Sequence, residues 1–390
     1  MISEDWSAPE TEILDAIADG VTDQQTVLAT VVGVEGSAYR RPGAKMVIAD
    51  DGGIGVITAG CLEDKVHELA EQVLADGEPR IERFDLTGSD DVWGLGVGCN
   101  GVVDILLEPL NAAYRLVAQA YEADEEIAVL TMLDGAGTDI ERGNHAFARP
   151  TGAADSRNLS FEPAATDWPD KLLTSLTEPT AELLAVGASD SITVDWEGKT
   201  ADVFVDSICI PPELIVFGSG HDVVPVVELA KRAGFSVTVV TFRGTVEDDE
   251  RFPVADQVRT IAPADIQERL AFDTDTYAVV MSHNFVDDRI ALDELLATPV
   301  EYVGLVGSRQ RFEEIQDAFA AEGRTFSAAE RDRIYTPAGL NLGGGTPFHI
   351  AQSIVAELTA VHHERDPHHL TDRTGPIHAR SPITQSVDDD

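Results

Sequence analysis

An apolar run, Leu214-Ile215-Val216-Phe217, breaks abruptly into Gly218-Ser219-Gly220-His221-Asp222, and Val223 to Ala233 then carries apolar residues at helical spacing. That order spells buried strand, tight turn and helix N-terminus. Such an element presents backbone N–H groups and the positive end of a helix dipole to a phosphate. It begins more than two hundred residues into the chain. A simple dehydrogenase that opens on its nucleotide site is therefore not the expected layout.

The surroundings of this turn continue the pattern. Strand-like runs fall at Leu214–Phe217, Ser236–Thr241, Gln257–Ile261, Ala278–Ser282, Tyr302–Val306 and Ile334–Thr336, with helical periodicity between most of them. Strands alternating with helices over short links predict a doubly wound parallel sheet, a Rossmann-like domain over 211–362 that opens at Pro211-Pro212. The polar, histidine-bearing stretch 363–390 is expected to be a disordered tail.

The N-terminal third reads as a mixed α+β domain over 1–135. Thr26–Val34, Ala44–Ala49 and Ile54–Ala59 are strand-like, with a hairpin signal at Asp50-Asp51-Gly52-Gly53. Cys61 to Ala75 has helical spacing and Gly77 as its stop, followed by strands at Arg80–Leu86 and Val102–Leu107. Asn111–Ala123 reads as a helix and Ile127–Leu133 as a strand. From Asp134 to about Asp190 the periodicity fades, so 136–210 is expected to be a variable connecting region. It carries one hairpin, Ser191–Trp196 with Lys199–Asp206 around Glu197-Gly198. No internal repeat is visible.

The formal net charge of −43, from 27 basic and 70 acidic residues spread along the chain, fits a surface suited to high salt, as in a halophile. It disfavours nucleic-acid binding, because no basic stripe exists to neutralise phosphates. No apolar stretch approaches the length of a membrane span, and the acidic start lacks a signal-peptide pattern. Three cysteines without a close pair point to a reducing cytoplasm rather than a disulfide framework.

Against this acidic background the cations stand out. Arg40, Arg41 and Lys45 form a basic island in Gly36-Ser37-Ala38-Tyr39-Arg40-Arg41-Pro42-Gly43-Ala44-Lys45, with no acid between Glu35 and Asp50. An anionic ligand would explain them, as it would Ser308, Arg309 and Arg311 at a helix start where the dipole prefers acids. Gly343-Gly344-Gly345 precedes a helix that Thr346 and Pro347 specify as N-cap and first residue. Cys61 follows Ala59-Gly60 at a helix N-terminus, a setting that favours thiolate, and Cys99 lies in the glycine-dense Gly94–Gly101 stretch. Two thiols are too few for a structural zinc site but suit sulfur chemistry or a soft metal. Cys209, between Ile208 and Ile210, reads as a core residue.

Gly218-x-Gly220 departs from the dinucleotide fingerprint. The third glycine would fall at Val223, and the second strand ends in Thr241-Phe242-Arg243 with no acid for a ribose hydroxyl. NAD(P) is therefore disfavoured as a ligand. His221, Asp222 and His283 lie on the same expected ligand edge of the sheet.

Taken together, these motifs resemble the XdhC/CoxI family of maturation factors for xanthine dehydrogenase and carbon monoxide dehydrogenase type molybdenum enzymes. Gly36-Ser37 through Arg40-Arg41-Pro42-Gly43, Gly60-Cys61-Leu62-Glu63 and Gly98-Cys99-Asn100-Gly101 resemble its N-terminal domain. Gly218-Ser219-Gly220-His221, Tyr302 through Arg309 and Pro337-Ala338-Gly339-Leu340 through Thr346-Pro347 resemble its Rossmann domain. Asn100 stands where a glycine is common in the family, and Thr241-Phe242-Arg243 keeps the arginine of its Asp-x-Arg while losing the acid.

The resemblance implies that molybdenum cofactor, a pterin dithiolene with a phosphate, is bound as cargo in a cleft between the domains. It also implies sulfuration there and insertion into an apo molybdenum hydroxylase, an accessory role rather than catalysis. On this expectation Gly218, Ser219, Gly220, His221, Arg40, Arg41, Lys45, Arg243, Ser308 and Arg309 hold the cofactor. Cys61 and Cys99 face molybdenum or its sulfur. A cysteine desulfurase is an expected sulfur-donor partner, and a homodimer is the default assembly. An NAD(P)-dependent oxidoreductase and a cofactor-free scaffold for the apo-dehydrogenase are the alternatives.

Overall fold

The computed structural model describes residues 8–21, 25–49, 52–87, 101–135, 139–151, 158–163, 168–243, 250–372 and 374. The chain divides into two compact units, one ending at Ile210 and one running from Pro211 to Thr374.

The first unit holds two five-stranded antiparallel sheets. In the first sheet, β1 (Val27–Gly36), β2 (Lys45–Ala49), β3 (Gly52–Gly55), β4 (Arg80–Asp85) and β5 (Gly101–Pro109) lie in the order β3-β2-β1-β5-β4. Helix α1 (Glu10–Gly20) precedes it, and α2 (Glu63–Asp76) links β3 to β4 and stops at Gly77 in the left-handed conformation. Alternate residues of β1, β2 and β5 (Val27, Ala29, Val31, Met46, Ile48, Ile105 and Leu107) pack with Val66, Leu69 and Val73 of α2 into one core.

The second sheet is a correction to the expectation for 136–210. That stretch supplies β7 (His145–Pro150), β8 (Leu159–Pro163), α4 (Asp170–Ala185), β9 (Asp190–Trp196) and β10 (Lys199–Ile208). With β6 (Ile127–Asp134) the strands lie in the order β8-β7-β6-β10-β9. Helix α3 (Arg115–Glu122) precedes β6. Leu172, Leu176, Leu183 and Leu184 of α4 pack on Leu130, Met132, Val203 and Val205 in a second core. A third core gathers α1 and α3 with Leu28, Val47, Val129 and Phe147 from the opposite faces of both sheets.

In the second unit six parallel strands follow the order β13-β12-β11-β14-β15-β16: β11 (Glu213–Phe217), β12 (Ser236–Thr241), β13 (Gln257–Thr260), β14 (Thr276–Val280), β15 (Tyr302–Leu305) and β16 (Ile334–Tyr335). This is the doubly wound arrangement, and its strand order reverses between β11 and β14. Both faces are covered, so the central strands are apolar without alternation: Leu214–Phe217 and Thr276–Val280 are buried throughout. Helices α5 (Val223–Arg232), α6 (Ile266–Arg269), α7 (Phe285–Leu296), α8 (Arg309–Ala321), α9 (Ala328–Asp332) and α10 (Pro347–His362) connect and flank the strands. Thr346 caps α10, accepting from the His349 amide. From the expected tail, the described residues 363–372 include a short 3-10 turn at Leu370–Asp372, and most of the remainder lies outside the described residues.

Candidate functional site

The strand-order reversal places the carboxyl ends of β11, β12 and β14 side by side, and a cleft of about 320 Å³ opens there. Gly218, Ser219, Phe242, Arg243, Ser282, His283 and Asn284 line it. Gly218 is required by close approach: a Cβ there would stand 2.8 Å from the Met281 carbonyl oxygen and 3.1 Å from Val223 Cγ2. Its amide donates to the Val240 carbonyl at 2.9 Å, so the chain leaves β11 still tied to β12. The Ser219 carbonyl accepts from Arg251 Nη1 at 2.6 Å.

Asp222 stands at the N-cap position of α5 without capping it. Its carboxylate instead meets His283, with Nε2 to Oδ2 at 2.7 Å. His283 has φ of 59°, a left-handed backbone that non-glycine residues adopt at a cost, here at the wall of the cleft. His221, assigned to the site from sequence, is exposed beside this pair.

Arg243 follows β12, where a dinucleotide domain carries its ribose-binding acid, and its guanidinium reaches both carboxylate oxygens of Asp287 at 2.9 and 2.7 Å. Asp287 is nearly buried in the first turn of α7, whereas the Arg243 side chain is 71% exposed and free to meet an anion. The adjacent Asp288, fully buried, holds Arg311 and accepts from the Ser282 hydroxyl. Arg311 is thus tied to the protein rather than offered to a ligand. Ser308 caps α8 by accepting from the Arg311 amide, and Arg309 is exposed on its first turn. Asn284 caps α7 through the Val286 and Asp287 amides. Phe242, stacked on Phe217 with ring centroids 5.9 Å apart, gives the cleft one apolar wall. The arrangement offers backbone, guanidinium and imidazole donors beside an aromatic face, which suits a phosphate joined to a flat ring.

In the first unit the basic island resolves unevenly. Lys45 is a correction: its side chain is 2% exposed, its ammonium bonds Asp206 at 3.0 Å and the Gly43 carbonyl at 2.9 Å, and Glu10 lies at 3.5 Å. Burial pulls its pKa down, yet Asp206 and Glu10 outweigh that and leave it above the ordinary lysine value. It is a structural cation, not a ligand contact. Arg40 and Arg41 remain half-buried in the loop between β1 and β2.

Cys61 precedes α2, partly buried against the core under the first sheet. Glu63 takes the amides of Thr58 and Leu62 there, both at 3.0 Å. Cys99 lies outside the described residues, but Gly101 is tied to the end of β4 through Leu86 N–H at 2.9 Å. The end of β1, the start of β5 and the Arg40–Arg41 loop share one end of the first sheet, the end from which the chain leaves β3 towards α2. Cys209 is half-buried, and burial pushes its thiol up to about 12. Among the described residues no group of three metal-ligating side chains forms. None of the described helices is long and apolar enough to cross a membrane.

The sequence put Asp222 and His283 on the ligand edge without joining them to each other, and it gave no role to Phe242 or the two first-turn acids of α7. The position of His283-Asn284 just beyond a buried strand was the available signal for the pair. The acids carried none, because Asp in a helix's first turn is ordinary.

The family model described as the XdhC Rossmann domain matches residues 214–358, and that of the XdhC and CoxI family matches residues 22–85. A Bacillus subtilis protein, named as a probable subunit of xanthine dehydrogenase, is 30% identical over 348 residues, 89% of this chain and 95% of that one. The molybdenum cofactor insertion chaperone PaoD of Escherichia coli is 29% identical over 126 residues, 30% of this chain and 39% of its own length. A crystal structure of a xanthine dehydrogenase from Bacillus halodurans superposes with a TM-score of 0.70 at 28% identity, covering 92% of this chain and 97% of that one.

Proposed function

The chain belongs to the XdhC and CoxI family, and from that premise we propose that it is a maturation factor. Its cargo is molybdenum cofactor, and its client is an apo molybdenum hydroxylase of the xanthine dehydrogenase or carbon monoxide dehydrogenase class. The observation that carries the reading is the cleft at the strand-order reversal. There the glycine turn, Arg243 and His283 supply donors for a phosphate, and Phe242 supplies a face for the pterin. The name of the PaoD relative supports the same role.

In this reading the phosphate of the pterin sits at Gly218–Gly220, where backbone amides and the dipole of α5 favour negative charge. Arg243 approaches it while remaining half-neutralised by Asp287, which leaves the cargo releasable. Cys61 and Cys99 serve the sulfur chemistry of the cargo, since thiolates suit a soft metal centre and persulfide transfer. Arg40, Arg41 and Arg309 supply further positive charge to a strongly acidic molecule. A desulfurase would deliver the sulfur, and the protein works in the cytoplasm.

The test uses protein produced in a host that makes molybdenum cofactor and purified in high salt. Bound material is oxidised and its fluorescent pterin derivative measured, with Gly220→Asp as comparison. Pterin on the parent and not on the variant is expected, because a side chain at Gly220 would run into Asp222 Oδ1 and the added carboxylate repels phosphate. Absence from both overturns the reading. Tight quenching by nicotinamide nucleotides in the same preparation would favour the oxidoreductase instead. Cys61→Ala and Cys99→Ala are expected to lose transfer of sulfurated cofactor while staying folded.

A further inference from the structure

The two sheets of the first unit have one topology. Each runs helix, three strands, helix, two strands, and each orders its strands third, second, first, fifth, fourth. The registers align residue by residue. Thr30 pairs with Lys45 and Leu106 in the first sheet, and Thr131 pairs with His145 and Phe204 in the second; Leu28 pairs with Glu108 as Val129 does with Asp206. The turns before β2 and β7 share their hydrogen bonds as well. Gly43 N–H donates to the Val31 carbonyl and Gly143 N–H to that of Met132, both at 2.9 Å, and both glycines have positive φ.

Contacts between the two halves are reciprocal. Lys45 of the first half bonds Asp206 of the second at 3.0 Å, while His145 of the second lies 2.9 Å from Glu108 of the first. Lys45 and His145 are equivalent positions, and so are Glu108 and Asp206. A Cβ on Gly43 would meet Ser189 just before β9, and one on Gly143 would meet Pro79 just before β4, again at equivalent places. Val32 and Leu106 pack with their counterparts Leu133 and Phe204. Where the halves meet, Thr30 and Thr131 stand together with Glu108, Asp206 and Tyr114, with no room for a water between them. Identity at equivalent positions is confined to a few residues such as Thr30/Thr131 and Gly43/Gly143, which hides the repeat in sequence.

We infer that residues 27–109 and 127–208 are two copies of one module, docked about an internal two-fold axis. The second copy acts as a built-in partner, and two crossed, buried contacts at equivalent places, the Lys45–Asp206 ion pair and the approach of His145 to Glu108, mark the register. A buried charge such as that of Lys45 costs energy to desolvate and specifies a geometry only when it meets its partner. The copies divide the labour. The first carries the Arg40–Arg41 loop, Cys61 before α2 and the long Leu86–Gly101 connection. In the second, Trp168-Pro169 precedes α4 and a two-residue turn, Glu197-Gly198, joins β9 to β10. One sulfur-bearing end therefore rests on a partner module without cysteine in its strands, where a homodimer of single modules would present two.

The full-length chain tests this by hydrogen exchange. Lys45→Met and His145→Met are each expected to speed exchange on the order of tenfold in β1, β5, β6 and β10 together. Opening confined to the copy that carries the substitution overturns the proposal. Should either variant fail to fold, pair transplants decide: Lys45→His with Asp206→Glu, and His145→Lys with Glu108→Asp. Equivalent sockets accept either pair, so both doubles are expected to melt within about 3 °C of the parent. Doubles that melt as low as Lys45→Ala overturn it.

Discussion

His283 Nε2 lies 2.7 Å from Asp222 Oδ2, so the loop after β14 is joined to the turn after β11 across the mouth of the Rossmann cleft. The pair is half-exposed, with His283 at 56% and Asp222 at 28%, and pairs so open to water contribute at most about 1 kcal/mol. The left-handed backbone at His283 costs at least as much, about 1–3 kcal/mol. Stability alone does not account for histidine there; under the proposed function, contact with cargo would.

His283→Gly is therefore expected to keep the parent's unfolding free energy or exceed it by about 1 kcal/mol, because glycine relieves the strain. The same variant should retain less pterin. His283→Ala, which keeps the strain and loses the pair, should lose retention and a little stability. Chemical denaturation beside the pterin assay separates the effects, and a large loss of stability in His283→Gly would return the residue to a structural role.

Gly218 and Gly220 should respond differently to the same methyl group. At Gly218 it meets backbone, the Met281 carbonyl oxygen at 2.8 Å, and overpacking of that kind costs about 1–3 kcal/mol. At Gly220 it meets only the Asp222 side chain, which can swing away and abandon His283. Gly218→Ala is expected to lower the unfolding free energy measured in urea clearly, and Gly220→Ala to leave it within about 1 kcal/mol while pterin retention falls.

The second unit was legible because a parallel sheet covered on both faces writes itself as continuous β-branched runs, as in Leu214–Phe217 and Ser236–Thr241. The second sheet was not. Strand β7 reads His-Ala-Phe-Ala-Arg-Pro, and α4 carries Pro179 and three threonines, so neither shows clean periodicity. Lys45 looked free in a basic loop because its partner Asp206 is 161 residues away, a pairing only the fold creates. Arg243 was readable from its place after the second strand, but Asp287, which restrains it, became meaningful only when α7 docked. The repeat escaped notice because topology and contact pattern were kept while side chains drifted.

Glu330 supplies a pH dependence. It closes a capping box with Ser327 at the start of α9, accepting the Ser327 amide at 2.7 Å and Arg324 Nη2 at 2.9 Å. The Ser327 amide above all holds its carboxyl down to about 2, against an ordinary 4.5. A carboxyl depressed on folding stabilises fully above its unfolded value and loses that contribution as pH falls from 4.5 towards 2. Glu330→Gln is expected to cost about 1 kcal/mol at pH 6, a typical capping loss. The deficit should shrink by pH 3, and equal deficits at both values would deny the charge a role.

Cys209 sets the reference for every thiol experiment on this protein. It follows β10, with its sulfur 3.2 Å from where a Gly187 Cβ would lie, and burial lifts its pKa to about 12. At pH 8 only about one molecule in ten thousand would carry the thiolate, so alkylation should run roughly a thousandfold slower than at an ordinary exposed cysteine. Peptide mapping after brief treatment with N-ethylmaleimide is expected to leave Cys209 unmodified in the folded chain and to label it rapidly in urea. Loss of cargo transfer on such treatment is then attributable to Cys61 or Cys99. Rapid labelling of Cys209 in the folded state would instead mean that the end of β10 opens readily, and the thiol assay would no longer isolate the sulfur-bearing end.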